Sequence, residues 1–94
     1  LIRDGDDLIY RATFGFPELA LGTEVDVPTL DGTAKVKIPP GTQPGTVFRL
    51  RGRGMPRGRG GKGDELIQVL LRIPTKLTSR QKEILKEFSK EGKL

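Results

Sequence analysis

Residues 24–51 read E-V-D-V-P-T-L-D-G-T-A-K-V-K-I-P-P-G-T-Q-P-G-T-V-F-R-L-R, and this stretch decides the fold. Asp31-Gly32 is a two-residue turn signal, because a type I′ turn needs positive φ at both central positions and Asp-Gly accepts that at little cost. Folding the chain about that pair predicts a register. Val27 faces Val36, Asp26 faces Lys37, and Val25 faces Ile38. Apolar then meets apolar on one face and opposite charges meet on the other, which is how cross-strand pairs stabilise a ladder. Pro28 would face Lys35 and has no N–H to donate, so a bulge or a free edge is expected there. After Pro39-Pro40-Gly41 and Pro44-Gly45, a third strand from Val47 to Arg51 returns. The three strands are expected to form a β-meander on which the other segments pack.

Upstream, Asp4-Gly5-Asp6-Asp7 reads as a solvated turn, since its acids lack the alternating ligands and distal Glu of a calcium loop. Asp7 to Phe14 alternates. Leu8, Tyr10, Ala12 and Phe14 share one face, and Ile9, Arg11 and Thr13 the other, as in a half-buried strand. Residues 16–21 predict a short helix. Pro17 suits its first turn, Glu18 its positive end, and Gly22 a left-handed stop. So short a helix must be held by packing of Phe16, Leu19 and Leu21.

Downstream, Gly52 to Gly63 holds six glycines in twelve residues and no apolar period, which predicts a mobile loop. Glu65 to Ile73 is the most apolar strand. Ile67, Val69, Leu71 and Ile73 point one way; Leu66, Gln68, Leu70 and Arg72 point the other. Leucines on the second face need a cover or they form a sticky patch. A helix over about 78–91 comes next, opened by a Thr78/Gln81 capping box and stopped by Gly92 at a left-handed C′ position. Its apolar stripe is Ile84, Leu85 and Phe88, flanked by Glu83–Lys86 and Glu87–Lys90 pairs. The stripe either covers Leu66 and Leu70 of its own domain or meets a second subunit.

Ninety-four residues make one domain, 1–94. The chain opens at Leu1 within sequence that reads as structured, as an excised fragment would. Nothing resembles a transmembrane run or signal peptide. There is no Cys, hence no disulfide or thiolate site, which is consistent with a cytoplasmic location. Of 17 basic residues, five lie within 51–63: Arg51, Arg53, Arg57, Arg59 and Lys62. The other 12 equal the 12 acids, so the net charge of +5 resides in this glycine-rich segment. The chain-wide basic surface of a nucleic-acid-binding fold is missing.

Gly58 to Gly63 matches G-x-G-x-x-G, but a nucleotide site needs a strand before the glycines and a helix after; here a strand comes after. Pro56 and Gly63 break the phosphate-loop pattern as well. The arginine–glycine run suggests an alternative role as an RNA-associated β-domain. No aromatic residue is interleaved to stack on bases. Ser79 lies in the first turn of a predicted helix, and the chain has no His to act as its base, so no enzyme and no catalytic residue is expected.

Six motifs occur in order: R-D-G-D-D-L, A-L-G-T-E-V-D-V-P-T-L-D-G, K-I-P-P-G-T-Q-P-G, F-R-L-R-G-R-G-M-P, G-D-E-L, and L-T-x-x-Q-K-E-I-L-K-E-F. In them the chain resembles the second C-terminal β-domain of bacterial DnaJ-type co-chaperones, from about Arg3 to Phe88. Gly15 stands where that family usually has Ser or Thr. The resemblance implies a mainly β, two-sheet sandwich of five or six strands with one short and one C-terminal helix. It implies binding of non-native polypeptides, hand-over to a DnaK-type ATPase, and a homodimer. The family's His-Pro-Asp motif and zinc-binding cysteine repeats lie in other domains, so no cofactor is expected in this chain and zinc only elsewhere. Neither membrane nor nucleic acid is an expected partner. An open sheet edge can take an extended peptide through main-chain bonds with little sequence demand. Val25 and Val27 beside Pro28, then Leu66 and Leu70, are therefore the candidate client-binding residues. Ile84, Leu85 and Phe88 are the candidates for dimer contact or helix docking.

Overall fold

The computed structural model describes residues 1–92. Its elements run β1 (Ile2–Asp4), β2 (Asp7–Phe14), α1 (Phe16–Leu21), β3 (Thr23–Thr29), β4 (Gly32–Ile38), β5 (Val47–Leu50), β6 (Glu65–Leu71) and α2 (Ser79–Glu91). They form a four-stranded sheet of order β1-β2-β6-β5 and a two-stranded sheet β3-β4. The two-sheet, mainly β architecture is as expected. The Asp4–Asp7 turn closes a β1–β2 hairpin that adds one strand to those read from the sequence.

The expected register of the β3–β4 hairpin is corrected by two residues. Val25 lies opposite Val36, Asp26 opposite Lys35, and Glu24 opposite Lys37. The turn is at Leu30-Asp31, because Asp31 does not take the positive φ that a turn centred on Asp31-Gly32 requires; among these residues only Gly32 has it. A shift of two preserves which face each residue occupies. Val27, Val36 and Ile38 therefore still enter the core, and Val27 is only 1% exposed. Opposite charges still meet, with Lys35 Nζ 3.5 Å from Glu24. Pro28 pairs with Thr33 without breaking the ladder, and β3 has β4 as its sole partner, so a free edge rather than a bulge accommodates the proline.

The meander does not form. β5 leaves the hairpin and pairs antiparallel with β6 in the other sheet. The Pro-Gly connection makes the switch. Gly45 donates to the Val69 carbonyl at 2.8 Å, and Val69 donates back to Thr46 at 2.9 Å. β6 in turn pairs in parallel with β2, from Leu8 opposite Glu65 to Phe14 opposite Leu71. Ala12 and Phe14, Ile67 and Val69 line the inner face of the larger sheet. Against them pack Val27, Val36 and Ile38, with Leu19 of α1 closing one end. Burying such side chains contributes roughly 1.5–3 kcal/mol each, before conformational entropy is counted.

α1 covers the expected residues. Gly15 has no side chain to cap it, and Glu18 reaches back to accept from the Gly15 N–H at 2.9 Å. Leu19 holds the helix. Leu21 does not, being 78% exposed. α2 is capped as expected, with Gln81 N–H on the Thr78 hydroxyl at 3.1 Å and Thr78 N–H on the Gln81 side chain at 2.8 Å. Gly92 is extended rather than left-handed. Glu83 pairs with Arg80, at 3.2 Å.

Candidate interaction surface

α2 does not cover the sandwich. None of its residues is buried, and its Phe88 ring meets Phe16 edge-on at 5.6 Å between centroids. Ile84, Leu85 and Phe88 all remain exposed. The expectation that this stripe packs over Leu66 and Leu70 is thereby corrected. The ring contact that the helix makes is with Phe16 of α1, and three apolar residues are too narrow a stripe to bury it.

Leu66 and Leu70 lie on the outer face of the four-stranded sheet, half-buried only by their neighbours. The ladder places Ile9 beside Leu66, Ile2 beside Ile9, and Thr13 beside Leu70. Val47 stands across from Gln68. Between the two leucines, Arg11 donates to Gln68 at 3.3 Å. The face thus carries an apolar row and a polar row, and β5 and β1 leave an edge at each side. Ile2 belongs to a strand that alternation over three residues is too short to reveal. Ile9 was legible as the outward side of β2.

Val25 and Val27 are placed differently. Val27 is in the core and Val25 packs half-buried beside it, so their side chains face inward. What β3 offers outward is backbone along its unpaired edge. These two valines and the two leucines are therefore on different sheets and do not form one surface.

The arginine–glycine segment is a folded hairpin, not the mobile loop expected. Gly54 N–H donates to the Gly63 carbonyl, Gly63 N–H to Met55, and Arg57 N–H to Gly61, each at 2.9 Å. Pro56 and Lys62 pair across it. Its base is pinned by Met55 N–H on the Asp6 carbonyl at 2.7 Å. Glycine is required at that base. A Cβ on Gly63 would lie 2.0 Å from the Asp6 carbonyl oxygen, and one on Gly54 2.5 Å from it. Arg53 reaches Asp31 at 3.8 Å and Arg57 reaches Asp6 at 4.0 Å; all five cationic side chains are on the surface.

At the hairpin's exit stand two neighbouring acids whose carboxyls are shifted in opposite directions. Asp64 accepts from Gly52 N–H at 2.9 Å and pairs with Arg49, and the backbone bond first, then the guanidinium, holds its carboxyl below the usual range. Glu65 is fully buried, and both its carboxylate oxygens lack a partner. Burial pushes its carboxyl up. Alternation could have found it, since Glu65 shares parity with Ile67 and Val69.

A depression lies where β2 ends and the chain turns into α2, lined by Phe14, Pro17, Arg72, Pro74, Lys76 and Gln81. Among the described residues no helix is long and apolar enough to cross a membrane.

Residues 1–74 match the model of the DnaJ C terminal domain. The chain belongs to that family. It is 56% identical over 87 residues, 92% of its length, to a chaperone protein DnaJ of Desulfitobacterium hafniense. To those of Clostridioides difficile and Geobacillus thermodenitrificans it is 50% and 52% identical, over 95% and 96% of its length. It spans only 23%, 23% and 24% of those relatives respectively. The relatives are chaperones, and the stretch that matches the family model holds every strand of the sandwich and ends before α2.

Proposed function

We propose that this domain binds non-native polypeptides on its four-stranded sheet and positions a DnaJ-type homodimer for hand-over to a DnaK-type ATPase in the cytoplasm. The observation that carries the reading is the outer face on which Leu66 stands beside Ile9 and Leu70 beside Thr13, with no residue of α2 buried against it. A face of mixed apolar and polar rows suits partners of varied sequence, and the unpaired edges of β3 and β5 add main-chain bonds. The exposed Ile84, Leu85 and Phe88 stripe fits a helix that completes its packing on a second copy. A titration of backbone amide shifts with a permanently unfolded client tests the first part. Shifts should concentrate on Ile9, Leu66 and Leu70, with weaker ones on β3; none in either place rejects direct binding. Sedimentation tests the second. The Leu85→Asp, Phe88→Asp double variant should lower the mass of the assembled protein towards the monomer, and an unchanged mass would remove the helix from the dimer contact.

A further inference from the structure

The arginine–glycine segment plays no part in that reading, yet residues 51–63 hold the whole charge surplus of the chain, with Arg57, Arg59 and Lys62 on the pinned hairpin and Arg51 and Arg53 just before it. Its tip reverses through Gly60 and Gly61 at φ of 91° and 75°, and its base is locked against Asp6. Cations on a fixed backbone lose less freedom on binding than cations on a loose one. Beside it, a narrow cleft of about 190 Å³ opens between the hairpin and the Leu30-Asp31 turn, lined by Leu30, Asp31, Arg53, Pro56 and Lys62 with two glycines. The cleft combines two cations with an apolar wall, for Leu30 is 53% exposed.

We propose that this cleft and hairpin are a docking site for an acidic polypeptide segment that also carries an apolar side chain. The chain already shows what the site accepts. Asp31 presents a carboxylate to Arg53 at 3.8 Å, and Asp6 presents one to Arg57 at 4.0 Å, both at long range and exposed to water. A partner's carboxylates replace these loose contacts with closer ones on Arg53 and Lys62, its apolar side chain covers Leu30, and Arg57 and Arg59 extend the attraction along the hairpin. Nucleic acid fits less well. It would find the charge, but no aromatic residue stands on the hairpin for a base to stack against.

Fluorescence anisotropy on the whole chain tests this, with a labelled twelve-residue peptide of alternating Glu and Leu as probe and an oligouridylate of equal charge as rival. The peptide should bind more tightly than the oligonucleotide. Arg53→Gln with Lys62→Gln should weaken it about tenfold while the thermal melt stays unchanged. Asp31→Asn removes the internal competitor and should tighten binding about two- to fivefold, whereas Asp26→Asn, an equal change of charge on β3 away from the cleft, should leave it alone. Equal tightening by both aspartate variants, tighter binding of the oligonucleotide, or an unaffected double variant would each overturn the proposal. Client binding to the outer sheet face is read separately by the amide shifts at Leu66 and Leu70, so either conclusion can fail without the other.

Discussion

The molecule contains two hairpins built on opposite plans. The β3–β4 hairpin is held by side chains: Val27, Val36 and Ile38 alternate into the core, and the outward residues other than Pro28 are polar or charged. The hairpin over residues 54–63 is held by backbone. Its ladder bonds, and the bond from Met55 to Asp6, involve main-chain atoms, and its close approach excludes any Cβ at Gly54 and Gly63. The first plan tolerates a change of turn but not of core; the second tolerates a side chain at Gly58, strains one at Gly60 or Gly61, where φ is positive, and excludes one at Gly54 and Gly63. A backbone-built arm asks little of its side chains, so Arg57, Arg59 and Lys62 can stand on it exposed to water.

Substitutions at the two bases should separate the plans most sharply. Gly63→Ala forces a methyl into the Asp6 carbonyl, and either the hairpin detaches or β1–β2 shifts. A loss of about 3 kcal/mol or more is expected in urea melts. Val27→Ala removes core volume from the other hairpin and should cost about 2 kcal/mol, with the arginine–glycine hairpin undisturbed in amide spectra. If Gly63→Ala proved the milder of the two, the backbone-built plan would be wrong.

Glu65, where the second hairpin enters the core, should respond in the reverse direction. Its raised folded pKa means that its contribution to stability is fully present below the unfolded carboxylate value and is lost as pH rises through the folded one. Glu65→Gln should therefore gain about 1–2 kcal/mol at neutral pH, a gain that fades in melts taken below about pH 4. Asp64 runs oppositely: its lowered folded pKa gives stability that is present above the unfolded value and lost on acidification. At the small end, Gly58→Ala at the hairpin tip meets no atom within 4 Å and has no positive φ to strain. It should change stability by less than about 0.5 kcal/mol.

The same contrast explains what was legible in the sequence. Alternation gave β2, the faces of β3 and β4, and the core residues Leu8, Ala12, Val27 and Ile67, since period-two burial is written in side chains. It even survived a wrong turn position, because a two-residue slip keeps parity. It did not give β5's partner, which depends on where the Pro-Gly connection carries the chain. Nor did it reveal the second hairpin, because glycine states that a neighbour is close without saying which one. Of the candidate surface, Leu66 and Leu70 were legible as an apolar second face. That α2 leaves them uncovered was not, since a stripe of three residues suits its own sheet and a foreign one equally.

The parallel pairing of β2 with β6 has a consequence for how the domain comes into being. Arg11 and Gln68, hydrogen-bonded across that pair, are 57 residues apart. Emerging from a ribosome at about 5–20 residues per second, β2 waits on the order of 3–11 s for the strand that completes its ladder. Throughout that interval β2 lacks the strand that completes its ladder, and Ile67 and Val69 are missing from the core that Ala12 and Phe14 share with the β3–β4 hairpin. The nascent domain is thus, for some seconds, a polypeptide of the kind that chaperones bind.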